Sequence, residues 1–409
     1  MSKPAYAALV YGDFRLLLAG RFSSALGGQM LTFAVAWDLW TRTHSPFALG
    51  LIGLSVVLPV ILASLPAGVF ADHHDRRHIV QVTQTVTALA SAGLAVLAWA
   101  HGPVALIFAI LAVLGLVRAF NDPATATLIA LVVPPKDYAN AATWNSSVYQ
   151  TAAIAGPALA GLLVALLNGV AGIYALAAAL SVVNFLLVTL IRTRQQKQPA
   201  QAATWESLKE GLAFIKGHKV ILAAITLDMW AVLLGGAVAL LPIYATNILH
   251  VGAWGLGIMR SATSLGALLM ALVLAHRRPF QRAGFTLLTA VAGFGCVTVA
   301  FGLSTWFPLS VALLFLLGAL DNISVVIRGT LMLTQVPDAM RGRTSSVNTI
   351  FISSSNELGD FESGMVAGLI GPVAAVVVGG LGTLFVVAAV AKKWPQLTRL
   401  KALDASVSA

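Results

Sequence analysis

The sequence predicts an all-α protein that crosses a membrane many times, and three observations carry this prediction. Of its 409 residues, 58% are hydrophobic and only 10% are charged, where a soluble domain has roughly 25% charged residues. The mean hydropathy of the whole chain is +0.88. Apolar runs of the length that crosses a bilayer recur from end to end. Soluble and disordered proteins need far more charged surface, so the composition excludes both classes.

Twelve apolar runs are long enough to cross a bilayer as helices, and they end at charged residues, proline or glycine. Their approximate limits are residues 15–40, 47–71, 79–100, 103–133, 141–168, 170–191, 220–249, 253–275, 284–303, 307–333, 345–370 and 372–391. The last two runs meet at residues 369–372 and are easily misread there as one long span. Residues 1–15 lack the pattern of a signal peptide, so the first span is expected to be retained.

Positive charge is distributed unequally between the two sides of these spans. Both termini and the connections after spans 2, 4, 6, 8 and 10 hold 19 of the 25 Lys and Arg residues, whereas the opposite connections hold only Arg42. The positive-inside rule therefore predicts that both termini face the cytoplasm. The net charge of +10 comes from short clusters between apolar runs, which favours anionic lipid headgroups over nucleic acid as partners.

The longest connection follows span 6 and divides the chain into two sets of six spans. We predict a first six-helix bundle over residues 1–191, a cytoplasmic linker over 192–219, and a second bundle with a short cytoplasmic tail over 220–409. Within the linker, apolar residues recur at helical spacing, which predicts an amphipathic helix on the inner membrane surface. These residues are Trp205, Leu208, Leu212 and Ile215.

An internal repeat supports the division into two halves. Residues 133–145 align with residues 336–348 at an offset of 203. At the same offset three glycines of the first half, Gly115, Gly156 and Gly161, align with Gly318, Gly359 and Gly364. Spans 4 and 5 thus resemble spans 10 and 11, as in membrane proteins built from two parallel repeats.

Several motifs resemble those of the major facilitator superfamily, and the resemblance covers essentially the whole chain. The loop after span 2 is similar to the signature loop of that superfamily at Gly68, Asp72, Arg76 and Arg77, whereas His73 and Asp75 depart from it. Arg118 in span 4 is similar to the arginine motif of that helix. Gly156, Pro157 and Gly161 in span 5 are similar to the motif of exporters. The two glycines also permit close helix packing, and the proline removes a backbone donor and so favours a bend.

With residues 121–124, 336–343 and 355–364 included, the chain resembles the bacterial branch that contains enterobactin and macrolide exporters. The resemblance implies twelve helices in two pseudo-symmetric six-helix bundles in the bacterial cytoplasmic membrane. It implies export of a drug-like or siderophore-like amphipathic molecule in exchange for protons, by a protein that acts as a monomer without a cofactor. Composition and spacing alone show a polytopic protein with two related halves.

Ionisable residues inside the predicted spans cost about 2.5–3.5 kcal/mol each and therefore need partners or water. Arg118 and Asp122 are four residues apart on span 4, which permits an ion pair. Asp321 and Arg328 are two turns apart on span 10, too far for an easy direct pair. We therefore expect another cation to pair with Asp321, and the candidates are Arg21 and Arg260.

The remaining intramembrane carboxylates lie in spans 7 and 11. Asp228 stands alone in span 7, whereas Glu357 and Asp360 share one face of span 11 and Glu362 is turned away from Glu357. Crowding and desolvation favour protonation of such groups, which is what proton coupling requires. The candidates are Asp122, Asp228, Asp321, Glu357, Asp360 and Glu362. The alternatives are an ion-pair network that only holds the halves together and a cation-binding site.

The loop after span 2 is predicted to form a cytoplasmic gate. Asp72 ends span 2 at the membrane face where span 11 begins, and the N-terminus of a helix attracts negative charge. We expect Asp72 to contact that N-terminus in one of two states, with Arg76 holding the carboxylate in position. The alternative is that Asp72 only caps a surface turn.

The sequence leaves some functions other than export open and argues against others. A metal or metal-chelate carrier would use the same carboxylates, although spans without His and clustered Met argue against transition metals, and no metal site is predicted. The single cysteine, Cys296, rules out an intramolecular disulfide. A receptor or assembly factor of the same fold stays open. No phosphate-binding G-x-x-x-x-G-K-[ST] sequence or intramembrane Ser–His set is present, so no enzyme is predicted.

Overall fold

The computed structural model describes residues 6–193, 205–277 and 280–401, which form helices joined by short turns, without a strand. The α-helices are α1 Gly12–Thr43, α2 Pro46–His73, α3 Arg76–Trp99, α4 Val104–Val132, α5 Tyr138–Leu167, α6 Ala171–Leu190, α7 Trp205–Gly217, α8 Lys219–Leu234, α9 Leu241–Ile243, α10 Gly252–Ala275, α11 Ala283–Gly302, α12 Phe307–Gln335, α13 Asp338–Ile370, α14 Pro372–Lys393 and α15 Pro395–Thr398. The prediction of an all-α chain is confirmed for these residues.

Ten of the predicted spans are confirmed, within the described ranges, as helices long and apolar enough to cross a membrane. Helices α1 and α13 have 32 and 33 residues, more than a crossing requires, but they are not among the ten. The reason for α13 is its polar sequence, which includes the carboxylates of span 11. The count of twelve spans therefore stays a prediction.

The run predicted as one helix over residues 220–249 is interrupted in the structure. Helix α8 ends at Leu234, and a 3-10 turn at Ala237–Leu240, the short α9 and a π-helical turn at Tyr244–Ile248 follow. The break lies at Gly235 and Gly236, where α13 comes close: a Cβ on Gly236 would lie 2.8 Å from the carbonyl oxygen of Gly359. The Gly-Gly pair was the sequence signal for this break.

Helix packing divides the chain into two compact units. Unit 1 comprises Met1–Arg42 and Ser55–Ala203, and unit 2 comprises Thr43–Leu54 and Thr204–Ala409. In unit 1, α3 packs on α4 and α6, and in unit 2, α11 packs on α12 and α14. The start of α2 groups with unit 2 because Gly50 and Gly53 leave room for the backbone of α13. The boundaries predicted at residues 191 and 219 stay a prediction.

The glycines of the internal repeat occupy equivalent packing positions in the two units. A Cβ on Gly115 of α4 would overlap the carbonyl of Val56 on α2, and a Cβ on Gly318 of α12 would overlap the carbonyl of Thr263 on α10. In the same way Gly156 lies against α1 and Gly359 lies against α8. The sequence repeat is therefore also a repeat of helix contacts.

The repeat also includes a contact made by the segment at the beginning of each half. The backbone N–H of Ala8 donates a hydrogen bond of 2.9 Å to Oδ1 of Asn140, at the start of α5. At an offset of 203 residues, a Cβ on Gly211 of α7 would lie 2.7 Å from the carbonyl oxygen of Arg343, near the start of α13. We call these contacts the first and second clasps. Helix α7 is thus the counterpart of the short 3-10 helix Ala8–Val10.

Further side chains strengthen both clasps. The Tyr11 hydroxyl donates a hydrogen bond of 3.0 Å to Oδ2 of Asp137, and this bond raises the pKa of Tyr11 above its ordinary value. In the second clasp Arg343 forms a salt bridge with Glu210.

The apolar side of α7 is only partly explained by the membrane. Ile215 is buried in a cluster that includes Ile221 and Val347, and Leu212 packs against it. Protein therefore covers Ile215 and part of Leu212, and the position of α7 on the inner membrane surface stays a prediction. The side chains of Trp205 and Leu208 lie outside the described residues.

Close helix packing predicts that two glycine-to-alanine substitutions on α12 differ in their effect on stability. The Gly318→Ala substitution places a methyl group against the backbone of α10, and such overpacking costs about 1–3 kcal/mol. The Gly329→Ala substitution, also on α12, meets nothing within 4 Å and is expected to be neutral or to stabilise the helix by up to about 1 kcal/mol. Thermal unfolding of the purified protein, followed by tryptophan fluorescence, compares them. Equal melting temperatures for the two variants would contradict the close approach of α10 and α12.

Candidate functional site

A cavity of about 720 Å³ lies in unit 1 among α1, α4 and α5. Its volume is typical of small-molecule binding sites. Each helix presents one face to it, because the lining residues recur every three or four positions. The lining residues are Arg21, Ala25, Gly28, Gln29 and Thr32 of α1, Arg118, Asp122, Ala126, Ile129 and Ala130 of α4, and Tyr138, Ala142, Asn145 and Tyr149 of α5.

Three charged side chains line this cavity. Nε of Arg118 lies 3.5 Å from Oδ2 of Asp122, so the predicted ion pair on α4 is present. The charge of Arg21 on α1 also acts on Asp122, so Arg21 has a carboxylate close to it within its own unit. Two cations thus share one carboxylate, and the described wall carries one positive charge in excess.

A second charged cluster lies in unit 2. Nη1 of Arg328 lies 2.6 Å from Oδ2 of Asp228, and the two side chains are 8% and 7% exposed. Nε of Arg328 also donates to the hydroxyl of Ser324 at 3.3 Å. The prediction that Asp228 stands alone is wrong, because packing of α8 on α12 brings together residues one hundred positions apart. Spacing gives no signal for this pair; only the cost of an unpaired charge in lipid does.

Asp321 belongs to the same cluster. Together with Asp228 and Ser324 it lines a cavity of about 10 Å³, the volume that one water molecule requires. The cation whose charge acts on Asp321 is Arg328, on the same helix, and not Arg260, whereas the pairing of Asp321 with Arg21 stays a prediction. Two carboxylates therefore share one arginine here, the reverse of the balance in unit 1.

Helix α13 supplies the third group of ionisable residues. The charge of Glu357 acts on Asp360, as their shared face predicts, and the charge of Arg260 on α10 acts on Asp360 as well. Nε of Arg260 is buried without a hydrogen-bond partner among the described atoms. Glu362 accepts a hydrogen bond of 3.4 Å from the neighbouring Ser363. Arg260 is therefore a partner of Asp360.

One buried pair was missed although its spacing is regular. Nε of Arg42 lies 2.7 Å from Oδ1 of Asp38, and the Tyr174 hydroxyl donates to Oδ2 of Asp38 at 3.2 Å. Arg42 also donates to the carbonyl oxygens of Leu97 and Gly102. Arg42, the only Lys or Arg of the outer connections, thus ties α1 to α3 and the turn after it. The four-residue spacing of the pair was the available signal.

The loop after α2 is described in part. Asp75, which departs from the motif, accepts a hydrogen bond of 2.9 Å from the N–H of Arg77 and so caps α3. Nη2 of Arg77 donates to the carbonyl of Thr189 on α6. A Cβ on Gly68 would meet nothing within 4 Å. The side chain of Asp72 lies outside the described residues, so the gate formed by Gly68, Asp72, Arg76 and Arg77 stays a prediction.

The exporter-like motif of α5 supports the wall of the unit 1 cavity. A Cβ on Gly156 would lie 2.5 Å from the Cβ of Gln29, a residue that lines the cavity. Pro157 and Gly161 are buried in α5. The close packing predicted for Gly156 is thus observed against α1, and the bend at Pro157 stays a prediction.

Among the described residues, no group of three or more His, Cys, Asp or Glu side chains is placed to hold a metal ion.

The chain is similar to several known proteins. Residues 3–409 match the profile of a family described as transmembrane secretion effector. The multidrug efflux pump Tap of Mycolicibacterium fortuitum is 27% identical over 370 residues, 87% of this chain and 89% of that protein. The enterobactin exporter EntS of Citrobacter koseri is 27% identical over 378 residues, 91% and 89% of the two chains. A solved structure of the peptide transporter POT, 14% identical, has a TM-score of 0.72 over 96% of both chains, and this likeness confirms the predicted fold.

The shared arginine of unit 2 predicts an unequal response to substitution. The Arg328→Met substitution leaves Asp228 and Asp321 without their cation and should cost about 3–5 kcal/mol, the usual cost of breaking a buried ion pair. Asp228→Asn should cost less, because Arg328 retains Asp321. Glu210→Gln, in a salt bridge whose side chains are about half exposed, should cost under about 1 kcal/mol. Thermal unfolding ranks the three. An Asp228→Asn variant as unstable as Arg328→Met would show that Asp321 does not share the arginine.

Proposed function

Because the chain belongs to the transmembrane secretion effector family of the major facilitator superfamily, we propose that it exports a small amphipathic molecule across the bacterial cytoplasmic membrane. Proteins of this superfamily are transporters, so the chain is a transporter and not an enzyme. The observation that carries the proposal is the cavity of unit 1, where three charged side chains face a space the size of a small organic molecule. The efflux relatives Tap and EntS support the direction of transport.

We propose protons as the coupling ion. Among the described residues of unit 2, Asp228 and Asp321 share the charge of Arg328, and the charges of Glu357 and Arg260 both act on Asp360. Carboxylates in excess of their cations are favoured in the protonated form when desolvated. Asp122 and Glu362 are further candidates. A proton taken up and released by this group, as rocking of the two halves opens the protein to alternate sides, would drive export.

The remaining elements of the proposal concern the gate, the topology and the assembly. Asp72, with Gly68, Arg76 and Arg77, would close the cytoplasmic side in one state by contact with a helix N-terminus. Both termini would lie in the cytoplasm, and the protein would act as a monomer among membrane lipids, without a cofactor.

Coupling is tested with purified protein in sealed vesicles that carry an imposed pH gradient. Asp321→Asn and Glu357→Gln should each reduce uphill transport at least tenfold, because an amide keeps the shape of the side chain but holds no exchangeable charge. Both variants should retain counterflow, the exchange of labelled for unlabelled substrate without a gradient.

The control for coupling is Asp13→Asn, which removes a carboxylate in the first turn of α1 that is hydrogen-bonded to Thr193. It should leave both kinds of transport unchanged. Wild-type uphill rates in Asp321→Asn and Glu357→Gln would contradict coupling through these residues.

Topology is tested with reporter fusions. A phosphatase that is active only outside the cytoplasm should be inactive when fused after residue 409 or within residues 195–202, since 19 of 25 basic residues lie on that side of the predicted spans. The same reporter fused at residue 102, in the opposite set of connections, should be active. Activity at residue 409 would contradict the predicted orientation.

A further inference from the structure

We propose that the molecule held in the unit 1 cavity is an organic anion with an aromatic body and a hydrogen-bond donor, and that Arg21 and Arg118 bind its anionic group. The proposal rests on the proposed function and names the chemical class of the substrate. Its basis is the charge of the cavity wall, where Arg21 and Arg118 face a single carboxylate, Asp122.

The Arg118–Asp122 ion pair in the cavity is longer and more exposed than the Asp228–Arg328 ion pair of unit 2. Arg118 and Asp122 lie 3.5 Å apart with side chains 47% and 64% exposed, whereas Asp228 and Arg328 lie 2.6 Å apart with side chains under 10% exposed. A salt bridge of the first kind contributes little energy and exchanges partners easily. The arginines of the cavity can therefore accept a second acidic group at low cost.

Arginine selects a particular kind of anion. Its planar guanidinium donates two parallel hydrogen bonds to a carboxylate, sulfonate or phosphate. Because Arg21 is on α1 and Arg118 is on α4, a bound anion would join two helices of the cavity. A cationic molecule would meet the reverse situation, one carboxylate that two arginines already neutralise.

Two further side chains define the rest of the molecule. Oδ1 of Asn145 is buried without a hydrogen-bond partner among the described atoms, so it would accept a bond from a hydroxyl or N–H of the substrate. Tyr149 lines the same cavity and is 51% exposed, so its ring is available to an aromatic group.

An anionic substrate would bind to other groups than the proton does. In unit 2 carboxylates outnumber the arginines that act on them, whereas the unit 1 cavity has the opposite balance. An anionic substrate at Arg21 and Arg118 and a proton on a carboxylate of unit 2 would then occupy groups of opposite charge and would not compete for one carboxylate. The membrane potential, negative inside, drives an anion outward and a proton inward, so both movements favour export.

The test uses two fluorescent probes that share one ring system. 8-Anilinonaphthalene-1-sulfonate carries a sulfonate, and N-phenyl-1-naphthylamine is the same molecule without it. Binding to wild-type protein in nanodiscs is measured as the loss of probe fluorescence when a competitor displaces the probe. The competitor is a non-fluorescent naphthalene derivative of the same charge, added in excess. We expect the anionic probe to bind at least tenfold more tightly than the neutral probe.

Three variants locate the effect. Arg21→Gln should weaken binding of the anionic probe at least tenfold and that of the neutral probe less than twofold, and Arg21→Lys should restore part of the loss. Asp122→Asn should act in the opposite direction and strengthen binding of the anionic probe severalfold, which a misfolded protein would not do. The melting temperature of each variant is measured alongside.

The outcomes separate this proposal from export itself. Equal or weaker binding of the anionic probe by wild-type protein, no displaceable binding of it, or weaker binding of it by Asp122→Asn would each overturn the anion site. Proton-driven transport of the neutral probe in that case would leave the exporter in place. Anion-selective binding without proton-driven transport of either probe would support the anion site and contradict the export mechanism.

Discussion

The cost of an ionised side chain in lipid is the constraint on which the rest of this structure depends. Each such group needs a partner within the bundle or water in a cavity. The partners come from the same helix for Arg118 and Asp122, and from two helices for Asp228 and Arg328. Because helices must approach closely for the second kind of pair, the requirement for charge pairing becomes a requirement for packing. Charge pairing between helices and glycine contacts between helices therefore both depend on close helix approach.

Close approach is achieved by the same device in both halves. Gly115 and Gly318 lie against the backbone of a neighbouring helix, and Gly156 and Gly359 do so at a second position. In lipid no hydrophobic effect drives helices together, so van der Waals contact between backbones contributes much of the association. The two units thus have similar packing, but the balance of charged groups differs between the cavity of unit 1 and the buried cluster of unit 2. Unit 1 has more cations than carboxylates in its cavity, and unit 2 has the reverse among its buried groups.

The sequence predicted features that depend on neighbouring residues better than features that depend on contacts between distant helices. Helix limits and the Arg118–Asp122 pair follow from hydropathy and from a spacing of four residues, and both were predicted. The Asp228–Arg328 pair depends on which helices meet, and a single sequence does not contain that information. The break at Gly235 and Gly236 has a local cause in these two glycines, but it was not predicted, because the run of residues 220–249 is apolar throughout. Leu212 and Ile215 have the pattern of a membrane-surface helix and pack against protein, because periodicity shows that a face is apolar and not what covers it.

The two clasps differ in when they can close as the ribosome delivers the chain. Residue 8 needs residue 140, so the first clasp can close while the second half is still being synthesised. Residue 211 needs residue 343, so the second clasp also waits through the insertion of four spans, and it closes only when most of the chain has been synthesised. An amphipathic helix in that situation has its apolar face without cover, and the lipid surface provides it. Once α13 is in place, protein covers Ile215 and packs against Leu212, so the order of synthesis sets how long the apolar face of α7 would depend on lipid for its cover.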